Sequence, residues 1–198
     1  MAKPSWVTTQ PSSGTGNGSV KVSASAYTGR TQRSGSLTYT ADGTEDVVQT
    51  VSQKGKAEFV TIQNASATKA GGSVTITGKS NSSKLTFALG SGDLTISLPS
   101  SYTAAGKSAT SGTAISGDPG GSAEFDFSIT INVPANGTIA ARSRQTTVTT
   151  AGGQSATSTL TQAAGDPTLS VSPNAVTLEA DGEAVTVTVT SNTSWSVE

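Results

Sequence analysis

The chain has 198 residues, a net charge of −1 and an unusual share of small hydroxyl side chains, with 33 Thr and 31 Ser. Hydrophobic residues make up 33% and aromatic residues 5%, and the apolar residues are mostly Val, Ile and Ala, which favour strands over helices. The absence of His and Cys excludes His-based catalysis, thiol nucleophiles, Cys/His zinc sites and disulfides. With no basic block, we expect neither nucleic acid nor a membrane as a partner.

Segments that alternate an apolar residue with a small polar one recur along the whole chain, the pattern of half-buried strands. Clusters of Gly, Asp and Asn separate them and predict turns. In chain order the predicted strands are 19–23, 37–40, 47–51, 74–77, 94–98, 125–133, 146–150 and 185–189. The sequence therefore predicts an all-β chain of antiparallel β-sandwich modules.

The chain also repeats itself. An offset of 109 residues places Val20 on Ile129, Val22 on Ile131, Arg33 on Arg142 and Gln53 on Gln162, and an offset of 111 places residues 74–77 on 185–188 and 80–83 on 191–194. Residues 1–55 thus repeat the C-terminal half of a module, 56–165 contain one whole module with a long insertion near 99–123, and 166–198 repeat an N-terminal half.

Half a sandwich exposes an apolar sheet face and an unpaired edge, so each half needs a partner. We expect residues 166–198 to complete 1–55 by strand complementation, either within one chain or between chains. A third possibility is that the chain is a fragment of a longer array. The residues predicted to form the complementation interface are Leu169, Val171, Val185, Val187, Val189, Val20 and Val22.

Placing 166–198 before 1–55 brings two motifs together, Ser-Asn-Thr-Ser-Trp at 191–195 and Ser-Gly-Thr-Gly-Asn at 13–17. In that order the sequence resembles the BACON family of immunoglobulin-like modules, whose name denotes Bacteroidetes-associated carbohydrate-binding, often N-terminal domains. The middle module is a looser match, because Lys84 stands where the split module has Trp195 and the Gly-rich turn is missing.

The resemblance implies two settings. In the first, the chain is a non-enzymatic bacteriophage virion protein, a capsid decoration or head-fibre component that contacts capsid proteins or copies of itself. In the second, it is a carbohydrate-binding or spacer module of a secreted Bacteroidetes glycan-degrading protein, which would be extracellular. The opening Met-Ala-Lys-Pro-Ser-Trp has no signal-peptide pattern, so we expect the first setting, with synthesis in the host cytoplasm and display on the virion surface.

Three aromatic residues are candidates for binding, including weak binding to host-associated glycans: Trp6, Trp195 and Tyr102. For both Trp residues a place in the core, or at the seam where the two halves meet, is the stronger expectation. Tyr102 lies in the insertion, which we expect to be a solvated loop or a contact arm, and it is the aromatic residue expected to be exposed.

No motif predicts catalysis, a metal or a cofactor. The acidic segment 42–46 fits a hairpin turn better than a calcium loop. Arg33 and Arg142 recur at equivalent positions, which indicates a structural role such as pairing a carboxylate or covering a sheet edge.

Overall fold

The computed structural model describes residues 3–198, and they form fifteen strands arranged in antiparallel sheets with one parallel pair. No helix among these residues is long and apolar enough to cross a membrane. The strands are β1 (Val7–Gln10), β2 (Lys21–Ala24), β3 (Arg33–Tyr39), β4 (Val47–Gln53), β5 (Val60–Ile62), β6 (Ala65–Ala67), β7 (Gly72–Ser80), β8 (Leu85–Gly92), β9 (Ser101–Ala104), β10 (Lys107–Thr110), β11 (Phe125–Val133), β12 (Arg142–Thr150), β13 (Ser155–Gln162), β14 (Leu169–Ser172) and β15 (Thr188–Ser191).

The middle of the chain is a complete sandwich. A five-stranded sheet in the order β10-β9-β11-β7-β5 packs against a four-stranded sheet in the order β6-β13-β12-β8. Inward-facing positions alternate along β7 and β11, so Ile76, Ile129 and Ile131 are almost fully buried. Phe87 packs edge-to-face on Tyr102 and on Phe127, with ring centroids 5.0 and 5.8 Å apart. The prediction of an immunoglobulin-like antiparallel sandwich is confirmed.

The two ends of the chain form smaller sheets. In the amino-terminal segment β1 pairs with β2 and β3 pairs with β4, while in the carboxyl-terminal segment β14 pairs with β15. The structure places the strands of 1–55 and 166–198 in separate sheets. Completion of one half by the other therefore stays a prediction.

The insertion near 99–123 is not a solvated loop. Its strands β9 and β10 form a hairpin that extends the five-stranded sheet through a short β9–β11 ladder. Tyr102, Ala104 and Ile115 are buried in the core. The expectation of an exposed loop is wrong because the small polar residues of this segment alternate with apolar ones that cover the sandwich.

Two predicted strands differ from the observed ones. Residues 94–98 are extended but belong to no ladder, since the Leu94 carbonyl accepts from Arg144 Nε at 2.8 Å and Leu94 itself fills the core. The strand predicted at 185–189 is present only from Thr188, and residues 183–187 join no ladder in the described part of the chain.

Candidate assembly interface

The internal repeat extends to individual hydrogen bonds. Arg33 Nη2 donates to Gln53 Oε1 at 2.7 Å across the β3–β4 ladder, and Arg142 Nη2 donates to Gln162 Oε1 at 2.9 Å across the β12–β13 ladder. The predicted structural role of these arginines takes the form of a pair with glutamine rather than with a carboxylate. β3–β4 is thus built like half of the four-stranded sheet of the middle module.

A polar joint holds the amino-terminal segment against the middle module. Asn81, which follows β7 and is fully buried, donates through Nδ2 to the carbonyl of Thr28 at 3.2 Å and accepts through Oδ1 from Phe59 N at 3.0 Å. The Ser80 hydroxyl donates to the carbonyl of Phe59 at 2.7 Å. Asn81 also donates to the carbonyls of Lys56 and Ala57, so one side chain fastens the end of β7 to the chain that enters the module.

The same joint recurs one module later. Asn192 Nδ2 donates to the carbonyl of Gly137 at 3.0 Å and its Oδ1 accepts from Thr168 N at 2.8 Å, while the Ser191 hydroxyl donates to the carbonyl of Thr168 at 2.8 Å. Gly137 and Thr168 lie 109 residues after Thr28 and Phe59. The boundary between modules therefore has the same local geometry at both places.

The first joint is reinforced by the insertion. The backbone N–H groups of Arg30 and Thr31 donate to the carbonyls of Gly120 and Gly121, each at 3.0 Å. The Arg30 guanidinium also forms an ion pair with Asp118. A Cβ at Gly29 would lie 2.5 Å from the backbone carbonyl carbon of Ser122, so the two backbones meet with no room for a side chain.

The two joints lie at opposite ends of the middle module. The amino-terminal segment contacts the end of β7 that is followed by Asn81, whereas the carboxyl-terminal segment contacts the other end of the β7–β11 ladder, through Gly137 and a Lys69–Asp166 ion pair. Nine-residue β7 spans roughly 27 Å, so the middle module separates the two half sandwiches.

The amino-terminal half exposes side chains that are buried in the complete module. Val20 and Val22 are 38% and 39% exposed, whereas their counterparts Ile129 and Ile131 are 1% and 0% exposed. Val7 and Leu37 are the buried apolar residues of this half. A groove lies open between its sheets and is lined by Thr9, Pro11, Val20, Leu37 and Tyr39.

The carboxyl-terminal half is open in the same way. Val187 is 38% exposed while its counterpart Ile76 is 1% exposed, and Leu169, Val171 and Val185 are also exposed. Val189 is half-buried. Three of these side chains, Val171, Val187 and Val189, line an apolar groove together with Val176, Trp195 and Val197.

The aromatic candidates have three different environments. Trp6 is half-buried beneath Arg33, whose guanidinium carbon lies 4.6 Å from the Trp6 ring centroid and 4.2 Å from that of Tyr27. Trp195 is 52% exposed at the open groove, so it is not in a core here. Tyr102 is 4% exposed and burial raises its pKa. The expectation that Tyr102 is exposed is wrong, and the structure does not bring the three rings together.

Charged groups in residues 3–198 are spread over turns and exposed strand faces. The acidic segment 42–46 lies in and after a turn in which Thr44 N donates to the Ala41 carbonyl at 3.2 Å.

Two charged side chains have shifted pKa values. A hydrogen bond and ion pair with Asp126 raise the pKa of Lys79. The backbone N–H of Ser143, 2.8 Å from Asp93 Oδ1, lowers the pKa of Asp93. Within residues 3–198 no group of three His, Cys, Asp or Glu side chains could hold a metal ion.

The joint residues were not predicted as a site. The available signal was the Ser-Asn pair, which stands at both 80–81 and 191–192 and coincides with the repeat. Its partners Thr28 and Gly137 carry no motif, because only their backbone carbonyls take part.

The BACON family model, described as a putative binding domain, N-terminal, matches residues 1–54. The match ends one residue before the repeat boundary predicted at residue 55, and it confirms the resemblance for the amino-terminal segment. A search of curated proteins found no match.

Proposed function

We propose that this chain, whose residues 1–54 match the BACON family of putative binding domains, is a non-enzymatic structural spacer and binding protein. Its modules are joined in a fixed series, and strand complementation completes its half modules. The observation that carries this proposal is the joint that recurs at Asn81 and Asn192 with the same donors and acceptors.

A hydrogen-bonded joint of this kind fixes the angle between modules, which a flexible linker does not. Flexible linkers rich in Gly and Ser behave as random coils and leave the angle between modules free. Here the side chain of Asn81 is fully buried and meets three carbonyls and one N–H from the module boundary. Because unpaired polar groups are costly when buried, any change of angle that breaks these bonds is opposed.

The distribution of carboxylates supports a role without catalysis. Glu124 and Asp126 form ion pairs with Lys79, and Asp118 pairs with Arg30. These carboxylates serve as ion-pair partners, whereas general acid–base catalysis needs a positioned group with a suitably shifted pKa.

The spacer proposal is tested by measuring how variable the angle between modules is. Single cysteines replacing Asp42 and Lys107 would carry spin labels on the amino-terminal segment and the middle module, which is simple in a chain without native Cys. We expect a narrow distance distribution that broadens in Asn81→Ala. The matched control is Asn136→Ala, a buried Asn that donates to the carbonyls of Ala140 and Ala163.

A broad distribution in the unsubstituted chain would overturn the spacer proposal. Broadening in Asn136→Ala as large as in Asn81→Ala would show that general destabilisation, and not the joint, sets the width.

Glycan binding is the second candidate function, and the exposed Trp195 ring at an apolar groove favours it. Aromatic faces pack against the apolar faces of sugar rings, and a ring that is half open can do so without unfolding the module. Specific enrichment on a glycan panel that is lost in Trp195→Ala, but kept in Trp6→Ala, would favour this function over a pure spacer.

The virion setting is a separate proposal, carried by the family resemblance alone. Its test is mass spectrometry of purified virions from phages that encode the chain. Presence at stoichiometric amounts would support a decoration or head-fibre role with capsid proteins as partners. Absence would favour the extracellular setting in a glycan-degrading protein.

A further inference from the structure

We propose that the partner of each half module is a second copy of this chain, with residues 166–198 of one copy completing residues 1–55 of the next. This inference deepens the strand complementation of the proposed function and rests on it. The contact is head-to-tail, since it joins two different surfaces.

Completion within one chain conflicts with the positions of the joints. The amino-terminal half is fastened at the Asn81 end of the middle module and the carboxyl-terminal half at the Gly137 end. These ends are separated by β7, whose nine residues span roughly 27 Å. Bringing the halves together would break one of the joints, whereas a second copy can bring its carboxyl-terminal half to the open amino-terminal half with both joints intact.

The complete module supplies the register of the first contact. β7 pairs antiparallel with β11, with Ile76 opposite Ile129 and Val74 opposite Ile131. The repeat replaces Ile76 by Val187 and Ile129 by Val20. Residues 183–191 of one copy should therefore pair with 16–24 of the other, with Val187 opposite Val20 and Val185 opposite Val22.

Backbone groups are available for this ladder. β2 has only β1 as a neighbour in the described part of the chain, so its other edge is open. Residues 183–187 likewise join no ladder, although their counterparts in β7 pair with β11. Backbone N–H and C=O groups that a strand leaves unpaired are the usual template for strand addition.

The complete module also predicts a second strand pairing between the two copies, in the other sheet of the sandwich. In the complete module β6 lies parallel to β13, with Ala65 opposite Leu160. The equivalent residues of the split module are Val176 and Val51. Val176 is 46% exposed in the absence of this contact, so the donated segment would close both layers of the sandwich and bury the two apolar grooves against each other.

The test mixes two variants that each lose one side of the contact. Val20→Asp places a charge in the amino-terminal half, where Val187 of the other copy should pack. Val187→Asp places a charge in the carboxyl-terminal half, where Val20 of the other copy should pack. Both side chains are surface-exposed in the single copy, so the folded monomer should tolerate the change. Leu89→Asp is the control, because Leu89 is 40% exposed in the complete module and lies outside the predicted contact.

Native mass measured by light scattering over a hundredfold dilution gives the readout. The unsubstituted chain and Leu89→Asp should grow beyond 19.6 kDa with concentration. Each Asp variant alone should stay monomeric. An equimolar mixture should stop at twice the monomer mass, because only one productive contact remains.

Three results would overturn the inference. These are a monomeric unsubstituted chain at the highest concentration, unimpaired assembly of either Asp variant, and a mixture that stays monomeric although circular dichroism shows both variants folded. None of them affects the spacer proposal, which the spin-label distances test within a single copy.

Crosslinking tests the register independently of the Asp variants. Thr75 Oγ1 and Thr130 Oγ1 lie 3.1 Å apart across the β7–β11 ladder, and their counterparts are Thr186 and Lys21. Mixing Thr186→Cys with Lys21→Cys should give a disulfide-linked dimer. Thr186→Cys with Ser23→Cys, two residues away, should crosslink at least tenfold less, and equal yields would contradict the register.

Discussion

At the scale of single residues, the hydrogen-bonding state of a buried side chain decides its role. Asn81 is buried with both side-chain polar atoms hydrogen-bonded, and its bond to the Thr28 carbonyl crosses a module boundary. The Tyr102 hydroxyl is buried near the backbone of Leu85 but makes no hydrogen bond of normal geometry. The first arrangement fixes a geometry, whereas the second contributes only its ring to the core.

We therefore expect Tyr102→Phe to leave the free energy of unfolding unchanged or to raise it by up to about 1 kcal/mol, because an unpaired buried hydroxyl is removed. Phe127→Ala, which empties part of the same cluster, should cost about 3–5 kcal/mol. Urea unfolding of both variants provides the measurement. A loss above about 1.5 kcal/mol in Tyr102→Phe would show that the hydroxyl is satisfied after all.

The lowered pKa of Asp93 predicts how the stability of the fold depends on pH. Its pKa is lowered below the ordinary 3.8 by the hydrogen bond from Ser143 N. The ionised form is therefore favoured in the folded state, and its contribution to stability is present above pH 3.8 and is lost as the pH falls through the lowered pKa.

Replacing Asp93 by Asn keeps an acceptor but removes the charge. We expect a lower melting temperature than the parent chain at pH 6, with a difference that shrinks as the pH falls below 3.8 and through the lowered pKa of Asp93. Thermal unfolding from pH 2 to 7 measures this. A difference that does not change with pH would contradict the role given to the charge.

At the scale of strands, equivalent positions have different environments in the complete and the split module. Ile131 in β11 is fully buried between two sheets, while Val22 in β2 is 39% exposed. The pattern of alternation is the same in both strands. What differs is the presence of a covering layer.

Ile131→Ala should therefore lower the free energy of unfolding by about 2–5 kcal/mol. Val22→Ala should change it by less than about 0.5 kcal/mol in a dilute monomer, yet weaken assembly at high concentration. Denaturant unfolding at low concentration and light scattering at high concentration separate the two effects. A large loss of unfolding free energy in monomeric Val22→Ala would mean that Val22 is already covered in the single copy.

The strands and their contacts also show which features the sequence alone could predict. The equivalence of Arg33 and Gln53 to Arg142 and Gln162 could be predicted because the repeat at 109 residues preserves their spacing, and both pairs form the Nη2–Oε1 bond. The strand predicted at 94–98 was wrong because an extended segment that lines a core alternates like a strand without joining a ladder. Tyr102 was misplaced because the insertion has no counterpart in the repeat. The joint was missed because backbone carbonyls leave no signature in a sequence.

At the scale of the whole molecule, the fold is one closed sandwich between two open ones. The closed module provides the core, with Leu85, Val148 and Leu160 fully buried. The open halves keep their apolar side chains exposed at 38% or more at Val20, Val187 and Leu169. Stability and the proposed association thus belong to different parts of one chain, so substitutions at the ends should lower the assembled mass before they lower the melting temperature.

The Asn81 and Asn192 joints share their donors and acceptors. Under the spacer proposal, such a joint would place surface groups of successive modules at a regular interval and angle. A weak affinity at each such position becomes avidity when the target presents its own groups at a matching spacing. The chain would thereby select targets by the distance between their epitopes, a property that no single module possesses.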